Sequence, residues 1–199
     1  MTLLGGDGLT HKFDCYSFEF CQWNNLPSLP EKLRFATLTT LWNYTNVLIG
    51  GEKDPKNLSN SVMSLDNKAW TLITHLVKPV SRHCTVVVKE DTIYIIGGLT
   101  ETSLFSKETI SFDTLTKTTS TIEAKMNRGR QLHCCAMLNR NHIIVVGGRD
   151  ARGALKSAET LDTSKSNKWI ENKNLELPHG ISYAQLVVTK PLGKCVSFF

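Results

Sequence analysis

Two histidines share one repeated position, where they could bind a metal or hold the fold together through hydrogen bonds. His83 and His133 each stand 14 residues before the next glycine pair, and Ala36 holds the same place earlier in the chain. Metal ligands can recur in this way around an axis, but no spacing typical of a ligand set accompanies them. We therefore predict hydrogen-bonded histidines and no metal site. The remaining histidines share no register: His11, His75, His142 and His179.

Arginines accompany these positions and could bind carboxylates or backbone carbonyls. Arg34, Arg82 and Arg130 occupy the repeated register to within one or two residues, and Arg128 lies beside the last of them. The planar guanidinium donates paired hydrogen bonds to such oxygen atoms. Two serines of the same neighbourhood could add hydrogen bonds: Ser81 and Ser182.

The cysteines are arranged for neither a zinc site nor a compact disulfide framework. None of the six forms a C-x-x-C pair, and we expect them to be reduced. Cys134 and Cys135 are adjacent on an expected strand, so their side chains point to opposite faces. Cys84 is equivalent to Cys134, which favours core packing for one of the pair, with redox sensing as the alternative. The six are Cys15, Cys21, Cys84, Cys134, Cys135 and Cys195.

Sequence motifs of common enzyme classes are absent. The chain has no G-x-S-x-G, Walker, H-E-x-x-H or G-x-G-x-x-G motif. Glu31, and Glu52 with Asp54, stand in polar loops where we expect them to be solvated. No cofactor is predicted.

The composition is that of a globular protein with a mildly basic surface. The hydrophobic fraction is 41%, the charged fraction is 21% and the formal net charge is +5. The Lys and Arg residues are scattered, which argues against a nucleic-acid-binding stripe. No apolar stretch approaches the roughly 18 residues of a membrane span. We predict a cytoplasmic protein that binds neither nucleic acid nor membrane.

The elements that position these residues repeat four times. Apolar runs end on glycine pairs whose first members are 45, 47 and 50 residues apart. Such periods are typical of solenoids, propellers and arrays. A residue without Cβ permits positive φ and close backbone approach. The glycines are Gly5, Gly6, Gly50, Gly51, Gly97, Gly98, Gly147 and Gly148.

Each unit continues with the same landmarks downstream of its glycines. An alternating segment ends at an aspartate in the last three units (Asp66, Asp113 and Asp162). A tryptophan follows this segment in every unit except the third. An apolar run and a short polar turn lead into the next glycine pair. This pattern predicts four short strands per unit and no helix. The tryptophans are Trp23, Trp70 and Trp169.

These motifs together resemble the kelch repeat over essentially the whole chain. The resemblance implies an all-β fold, a kelch-type β-propeller of about four four-stranded blades in one domain, residues 1–199. It implies that each glycine-ending strand is the innermost of its blade and that each tryptophan fills the wedge between blades. The units are approximately 1–46, 47–92, 93–142 and 143–199.

Four blades are few for this family, whose propellers usually have five to seven. A closed four-bladed ring and an open or incomplete array are both compatible with the sequence, and we expect the open array. Open blade edges would favour self-association.

The resemblance implies a non-catalytic protein–protein interaction module. Many kelch domains recognise substrates in BTB–kelch adaptors of cullin-type ubiquitin ligases, and others bind actin. We expect the cullin-binding half to be missing, because the repeats begin at Met1. The partner would be a protein or peptide, with acidic segments favoured. In the family, the loop entering the fourth strand lines the partner face or bonds backbone within the blade. Its candidates are Arg34, Ser81, Arg82, Arg128, Arg130 and Ser182.

The alternative is a sugar-active propeller enzyme, similar to sialic-acid epimerases or copper-containing galactose oxidases. Such an oxidase needs Tyr, His and Cys ligands brought together. The four tyrosines stand in no such constellation: Tyr16, Tyr44, Tyr94 and Tyr183.

Overall fold

The regular secondary structure of the chain is almost entirely β-strand in the computed structural model, which describes residues 2–5, 14–19, 21–43, 45–66, 69–165 and 168–186. The exception to strand and turn in these ranges is a single 3₁₀ turn at Lys173–Leu175. Within them, no helix is long and apolar enough to cross a membrane. The predicted all-β class is therefore confirmed.

The first sheet has three antiparallel strands in chain order. They are β1 (Thr2–Gly5), β2 (Asp14–Glu19) and β3 (Gln22–Leu26). Gly5 is the last residue of β1 and pairs with Asp14, whereas Gly6 lies outside the described residues.

Three four-stranded antiparallel sheets follow, each a meander of neighbouring strands. Blade A contains β4 (Thr37–Thr40), β5 (Asn46–Ile49), β8 (Ser61–Leu65) and β9 (Trp70–His75). Blade B contains β11 (Cys84–Lys89), β12 (Thr92–Ile96), β14 (Thr109–Asp113) and β15 (Thr118–Thr121). Blade C contains β16 (Cys134–Met137), β17 (His142–Val146), β20 (Ala158–Asp162) and β21 (Trp169–Glu171).

The glycine-ending strands β5, β12 and β17 are second in their sheets, so the prediction that they are innermost is wrong. The strand before each of them is the inner one. Thr39 of β4 and Thr85 of β11 face each other across two blades, with their Oγ1 atoms 2.5 Å apart. The sequence repeats that begin at the glycine strand are thus offset by one strand from the sheets.

Loops at the glycine-bearing ends of the blades form one surface, here called the glycine-end face. Antiparallel order places the loops after strands two and four of every blade on this face. Three small ribbons belong to it: β6 (Glu52–Asp54) with β7 (Asn57–Leu58), β10 (Val80–Ser81) with β13 (Leu99–Thr100), and β18 (Arg149–Asp150) with β19 (Gly153–Ala154).

Apolar clusters fill the wedges between neighbouring blades. Val47 and Ile49 of blade A pack with Ile93, Ile95 and Phe112 of blade B in one buried cluster. A second cluster joins blades B and C. Burial of each side chain of this size contributes about 1.5–3 kcal/mol to the stability of the fold. Apolar packing between the sheets, more than strand hydrogen bonding, therefore holds neighbouring blades together.

Two tryptophans take the predicted wedge positions and one does not. Trp169 is fully buried against Met126 and Val86, on the side of blade B. Trp70 is buried on the preceding side of blade A, where its Nε1 donates to the Pro27 carbonyl at 3.0 Å. Trp23 is 52% exposed, contrary to the prediction, because no sheet among the described residues precedes its own.

The glycine pairs of blades A, B and C occupy positive φ and touch the turns that open the inner strands. Gly98 has a φ of +92°, and a Cβ there would lie 2.4 Å from the Ser81 carbonyl oxygen. The first glycine of each pair packs instead against the next blade; a Cβ on Gly97 would meet the His133 ring at 2.8 Å. Crowding between turns, and not crowding at an innermost strand, therefore explains the motif.

Gly98→Ala is expected to lower the free energy of unfolding by about 2–4 kcal/mol, because a left-handed backbone and overpacking both penalise Cβ. Gly153→Ala is the matched control. It too has positive φ (+123°), but nothing lies within 4 Å of its Cβ position. Denaturant melts of both variants measure the difference. Equal losses would contradict a steric role for the pair.

The repeated aspartates organise the turns after the third strands. Asp113 Oδ1 accepts hydrogen bonds from the backbone N–H groups of Leu115 and Thr116, at 3.0 and 2.8 Å. Asp162 Oδ1 accepts from Ser164 in the equivalent turn. These bonds, led by those to Thr116 and to the Ser164 hydroxyl, lower the pKa of both carboxyl groups. Their role is local turn formation.

Candidate functional site

A turn with one left-handed residue precedes each of the inner strands β4, β11 and β16, and a fourth such turn follows blade C. Phe35, Arg82, Leu132 and Tyr183 have φ between 53° and 61°. The N–H of each of the last three donates to the carbonyl of the residue before it in this series, at 3.0, 2.8 and 3.1 Å. Successive turns are therefore linked across the blades by backbone hydrogen bonds.

This register separates the three arginines that the sequence groups together. Arg82 is the left-handed residue of its turn, Arg34 precedes that position by one, and Arg130 precedes it by two. The arginine therefore stands at a different offset from the left-handed residue in each turn. Three side chains of similar sequence context consequently point to different surroundings.

Two of the arginines converge on one buried carboxylate. Glu52 is 1% exposed, and its oxygens accept from Arg34 Nε at 3.1 Å, Arg82 Nε at 2.7 Å and Ser81 Oγ at 3.0 Å. The backbones of Arg34 and Glu52 also pair. The expectation that Glu52 is a solvated loop acid is wrong, because three donors replace its water.

The arginine side chains extend from Glu52 toward the surface. Arg82 Nη1 donates to Gln131 Oε1 at 3.1 Å, which bridges blades B and C. Both guanidinium groups lie near the Phe35 ring, at 4.8 Å for Arg82 and 5.8 Å for Arg34. Their side chains are 28% and 49% exposed. We call the group Arg34, Phe35, Glu52, Ser81, Arg82 and Gln131 the Glu52 cluster.

A cavity of about 250 Å³ adjoins this cluster and has the two repeat histidines in its wall. His83 Nε2 lies 2.7 Å from Thr37 Oγ1 of the preceding blade. Neither ring nitrogen of His133 has a hydrogen-bond partner among the described residues. The backbone carbonyl of Ile96 lies near enough to act to raise the pKa of His133, although its geometry is not that of a hydrogen bond. The predicted hydrogen bond is thus made by His83, although to a neighbouring blade, and is not made by His133.

Burial keeps both histidines neutral. Each is 5% exposed, and desolvation lowers the pKa of both to about 3. The charge of Arg130 acts in the same direction on His133. Within the described ranges, no group of three or more His, Cys, Asp and Glu side chains is placed to hold a metal ion.

Arg130 belongs to the core and not to the surface, so the prediction that it binds a partner is corrected here. Its side chain is fully buried and pairs with Glu159, which is 1% exposed, at 2.8 Å. Nη1 donates to the Gly147 and Ser157 carbonyls, and Nη2 also donates to Ser157 Oγ. This is the backbone-bonding alternative of the sequence prediction.

The two remaining candidates lie at the edge of the face. Arg128 is 41% exposed and pairs with Asp150 at 2.7 Å, beside a cavity of about 350 Å³ that Lys107 and Arg152 also line. Ser182 is half-buried and occupies the turn position of Ser81. Neither residue contacts Glu52.

Sequence reasoning missed Phe35, Glu52, Gln131 and Glu159. Glu52 directly follows a glycine pair, and its equivalents are Leu99 and Arg149, so repetition gives no signal for it. A buried acid could have been suspected only from the arginine register, which the loop lengths obscure.

Two of the cysteines are joined by a disulfide, contrary to the prediction that all are reduced. Cys84 of β11 bonds Cys135 of β16, with their Cα atoms 6.0 Å apart. Cys134 and Cys21 are free thiols. The pairing was hidden because the two cysteines are not equivalent in the repeat; Cys84 matches Cys134.

Comparison with known proteins identifies the repeat. A family model described as the KLHDC2/KLHL20/DRC7 Kelch-repeats domain matches residues 35–195. Alpha-scruin of Limulus polyphemus is 30% identical over 157 residues, which cover 74% of this chain and 17% of alpha-scruin. The chain thus matches a small part of that relative's length. The family match, together with the repeated blades and their glycine turns, shows that this chain belongs to the KLHDC2/KLHL20/DRC7 Kelch-repeats domain family.

Proposed function

We propose that the glycine-end face binds an acidic segment of a protein partner through Arg34 and Arg82. Membership in the kelch family supports a protein-interaction module in general. Binding of an acidic segment is supported by the Glu52 cluster, in which one buried carboxylate holds two part-exposed guanidinium groups.

Glu52 prepares the arginines for binding and does not neutralise them. It carries one negative charge against two positive ones, so the cluster retains a net positive charge. The described hydrogen bonds of Arg34 use only Nε among its side-chain nitrogens. Fixed guanidinium groups lose less entropy when they bind a carboxylate than mobile side chains do.

The surrounding loops add a long-range attraction of the same sign. The seven loops of the glycine-end face carry thirteen Lys and Arg residues and seven Asp and Glu residues besides the buried Arg130 and Glu52. These loops are residues 27–36, 50–60, 76–83, 97–108, 122–133, 147–157 and 172–184. A surface of one dominant sign steers an oppositely charged partner and speeds its association. The excess is consistent with an acidic partner.

We further propose that the chain acts in the cytoplasm as a non-catalytic substrate-recognition module of a cullin-type ubiquitin ligase. It requires a cullin-binding component, which is expected to co-purify with the protein from source cells. Co-purification with actin filaments instead would favour the actin-binding alternative.

Reversing both charges, Arg34→Glu with Arg82→Glu, is expected to weaken binding of a fluorescein-labelled poly-glutamate peptide at least tenfold. Each charge-assisted hydrogen bond contributes about 1.5–3 kcal/mol. Fluorescence anisotropy at two salt concentrations measures the affinity, and added salt should weaken the wild-type complex. Arg34→Gln with Arg82→Gln repeats the test without placing acids beside Glu52.

The matched control reverses two exposed charges on the opposite face, Lys89→Glu with Arg140→Glu. This variant has the same net charge as the first and should bind almost as the wild type does. Equal weakening in both variants would mean that net charge alone attracts the peptide. Arg130→Glu is unsuitable for this test because Arg130 is buried.

A further inference from the structure

The disulfide between Cys84 and Cys135 joins the inner strands of two neighbouring blades. Cys84 is the first residue of β11 and Cys135 the second of β16, and they are 51 residues apart in sequence. Both side chains belong to the apolar cluster between blades B and C. The bond therefore crosses a wedge that is otherwise held by packing.

The neighbouring thiol does not compete for this bond. Cys134 points to the other side of its strand, where it packs with Val146 and Ala158. Burial raises the pKa of the Cys134 thiol, so it stays protonated and is a poor nucleophile. Exchange at this site is thereby restricted to Cys84 and Cys135.

The bond lies next to the Glu52 cluster. Cys84 follows Arg82 by two residues, and Cys135 follows Gln131 by four. The same two segments share the Arg82 Nη1 to Gln131 Oε1 hydrogen bond and the Leu132 N–H to Arg82 carbonyl hydrogen bond. The covalent link and these hydrogen bonds therefore hold one and the same junction.

We propose that Cys84 and Cys135 form a redox-controlled modification site for low-molecular-weight thiols and disulfides such as those of glutathione. Its oxidised state fixes the junction of Arg82 with Gln131. In the cytoplasm, where the proposed function places the chain, a protein seldom keeps a permanent disulfide, and a bond there is usually transient or regulatory. The cytoplasmic setting and the effect on binding at the Glu52 cluster rest on the proposed function, whereas the exchange chemistry rests on the joined pair Cys84 and Cys135 itself.

Oxidation follows ordinary thiol–disulfide exchange. The Cys135 thiolate, from the more exposed of the two residues, attacks one sulfur of glutathione disulfide and displaces a glutathione thiolate. The Cys84 thiolate then attacks the protein sulfur of this mixed disulfide and displaces the second glutathione. Two protein thiols become one disulfide, glutathione disulfide becomes two glutathiones, and the two protons pass to the glutathione thiolates. Reduction is the reverse reaction.

The first test measures the bond directly. The purified full chain is equilibrated with glutathione and glutathione disulfide at ratios from reducing to oxidising, its thiols are alkylated, and a non-reducing digest is analysed by mass spectrometry. We expect the linked peptide containing Cys84 and Cys135 to rise from near absence to the major form. Cys134→Ala should behave as the wild type, whereas Cys84→Ala should give no linked peptide. A linked peptide that is absent at every ratio, or unchanged at every ratio, would overturn the proposal.

The second test asks whether the bond orders the junction. Amide hydrogen exchange at residues 80–83 and 130–133 should be about tenfold slower in the oxidised protein than in the reduced one. Exchange in Cys84→Ala should not respond to the glutathione ratio. Unchanged exchange in the wild type would overturn control of the junction. Because this measurement needs no partner, failure of peptide binding would count against the proposed function alone.

Discussion

Replacing Arg130 with alanine is expected to lower the free energy of unfolding by about 3–5 kcal/mol, because the change leaves Glu159 charged and buried without its partner. The alanine also removes the donors that Gly147 and Ser157 use. Denaturant unfolding at neutral pH, followed by circular dichroism, measures the loss. We expect this to be the most damaging of the arginine substitutions.

Arg128→Ala is the matched control for this prediction. Arg128 pairs with Asp150 at 2.7 Å, close to the 2.8 Å between Arg130 and Glu159. Its side chain is 41% exposed, so water can replace much of this interaction when Arg128 is removed. A pair of this kind contributes about 0–1 kcal/mol. If the two substitutions cost the same, Arg130 is not the centre of a buried network.

A double substitution to apolar residues should not restore the stability. Replacing both members of a buried ion pair is often tolerated, but Glu159 also accepts from the backbone N–H groups of Asn127 and Arg128, at 2.6 and 3.0 Å. Those donors would be orphaned in the core. Glu159 therefore fixes residues 127–130 of the loop that leads into blade C, in addition to neutralising Arg130.

Two arginine–glutamate pairs of similar chemistry thus perform different tasks in this fold. Glu159 is enclosed with Arg130, and the pair stabilises the loop of residues 122–133. Glu52 is equally buried, but its two arginines reach the solvent. The difference follows from where each arginine stands relative to the left-handed turn residue: Arg130 is two residues before it, Arg34 is one residue before it, and Arg82 occupies it. Only the second arrangement can offer guanidinium groups to a partner.

The sequence predicted those features of the fold that depend on local chemistry. Gly98 and Gly148 need positive φ, and Trp169 fills a wedge; both features are visible in one unit and repeat in others. The recurrence of Asp113 and Asp162 was also visible, but their hydrogen bonds within the turns were not predicted. Strand order was not predicted, because an apolar run looks the same at the first and second positions of a blade.

The site depends on contacts that repetition cannot reveal. Arg82, Glu52 and Gln131 come from different loops, and no sequence period relates the acid to the amide. The disulfide likewise joins inequivalent positions of neighbouring repeats. Burial of a loop acid follows from the surrounding donors, and these are known only once the turns are placed.

Lowering the pH from 7 to 5 is expected to reduce the free energy of unfolding by about 2 kcal/mol for each of His83 and His133. Their folded pKa of about 3 lies below the ordinary value of 6.5, because desolvation disfavours the charged ring. The unfolded chain therefore binds protons first as the pH falls below 6.5. The loss grows until the pH reaches the folded pKa, where the folded protein binds the same protons.

Denaturant melts at pH 7, 6 and 5 test this effect, with His83→Gln and His133→Gln as variants that cannot titrate. Each single variant should show about half of the wild-type decrease, and the double variant should show little. The turn carboxylates do not contribute to the loss of stability between pH 7 and 5, since the pKa values of Asp113 and Asp162 are shifted downward from 3.8. A double variant that loses as much stability as the wild type would show that other groups carry the acid sensitivity. A flat wild-type profile would mean that water reaches both imidazole rings from the cavity beside the Glu52 cluster.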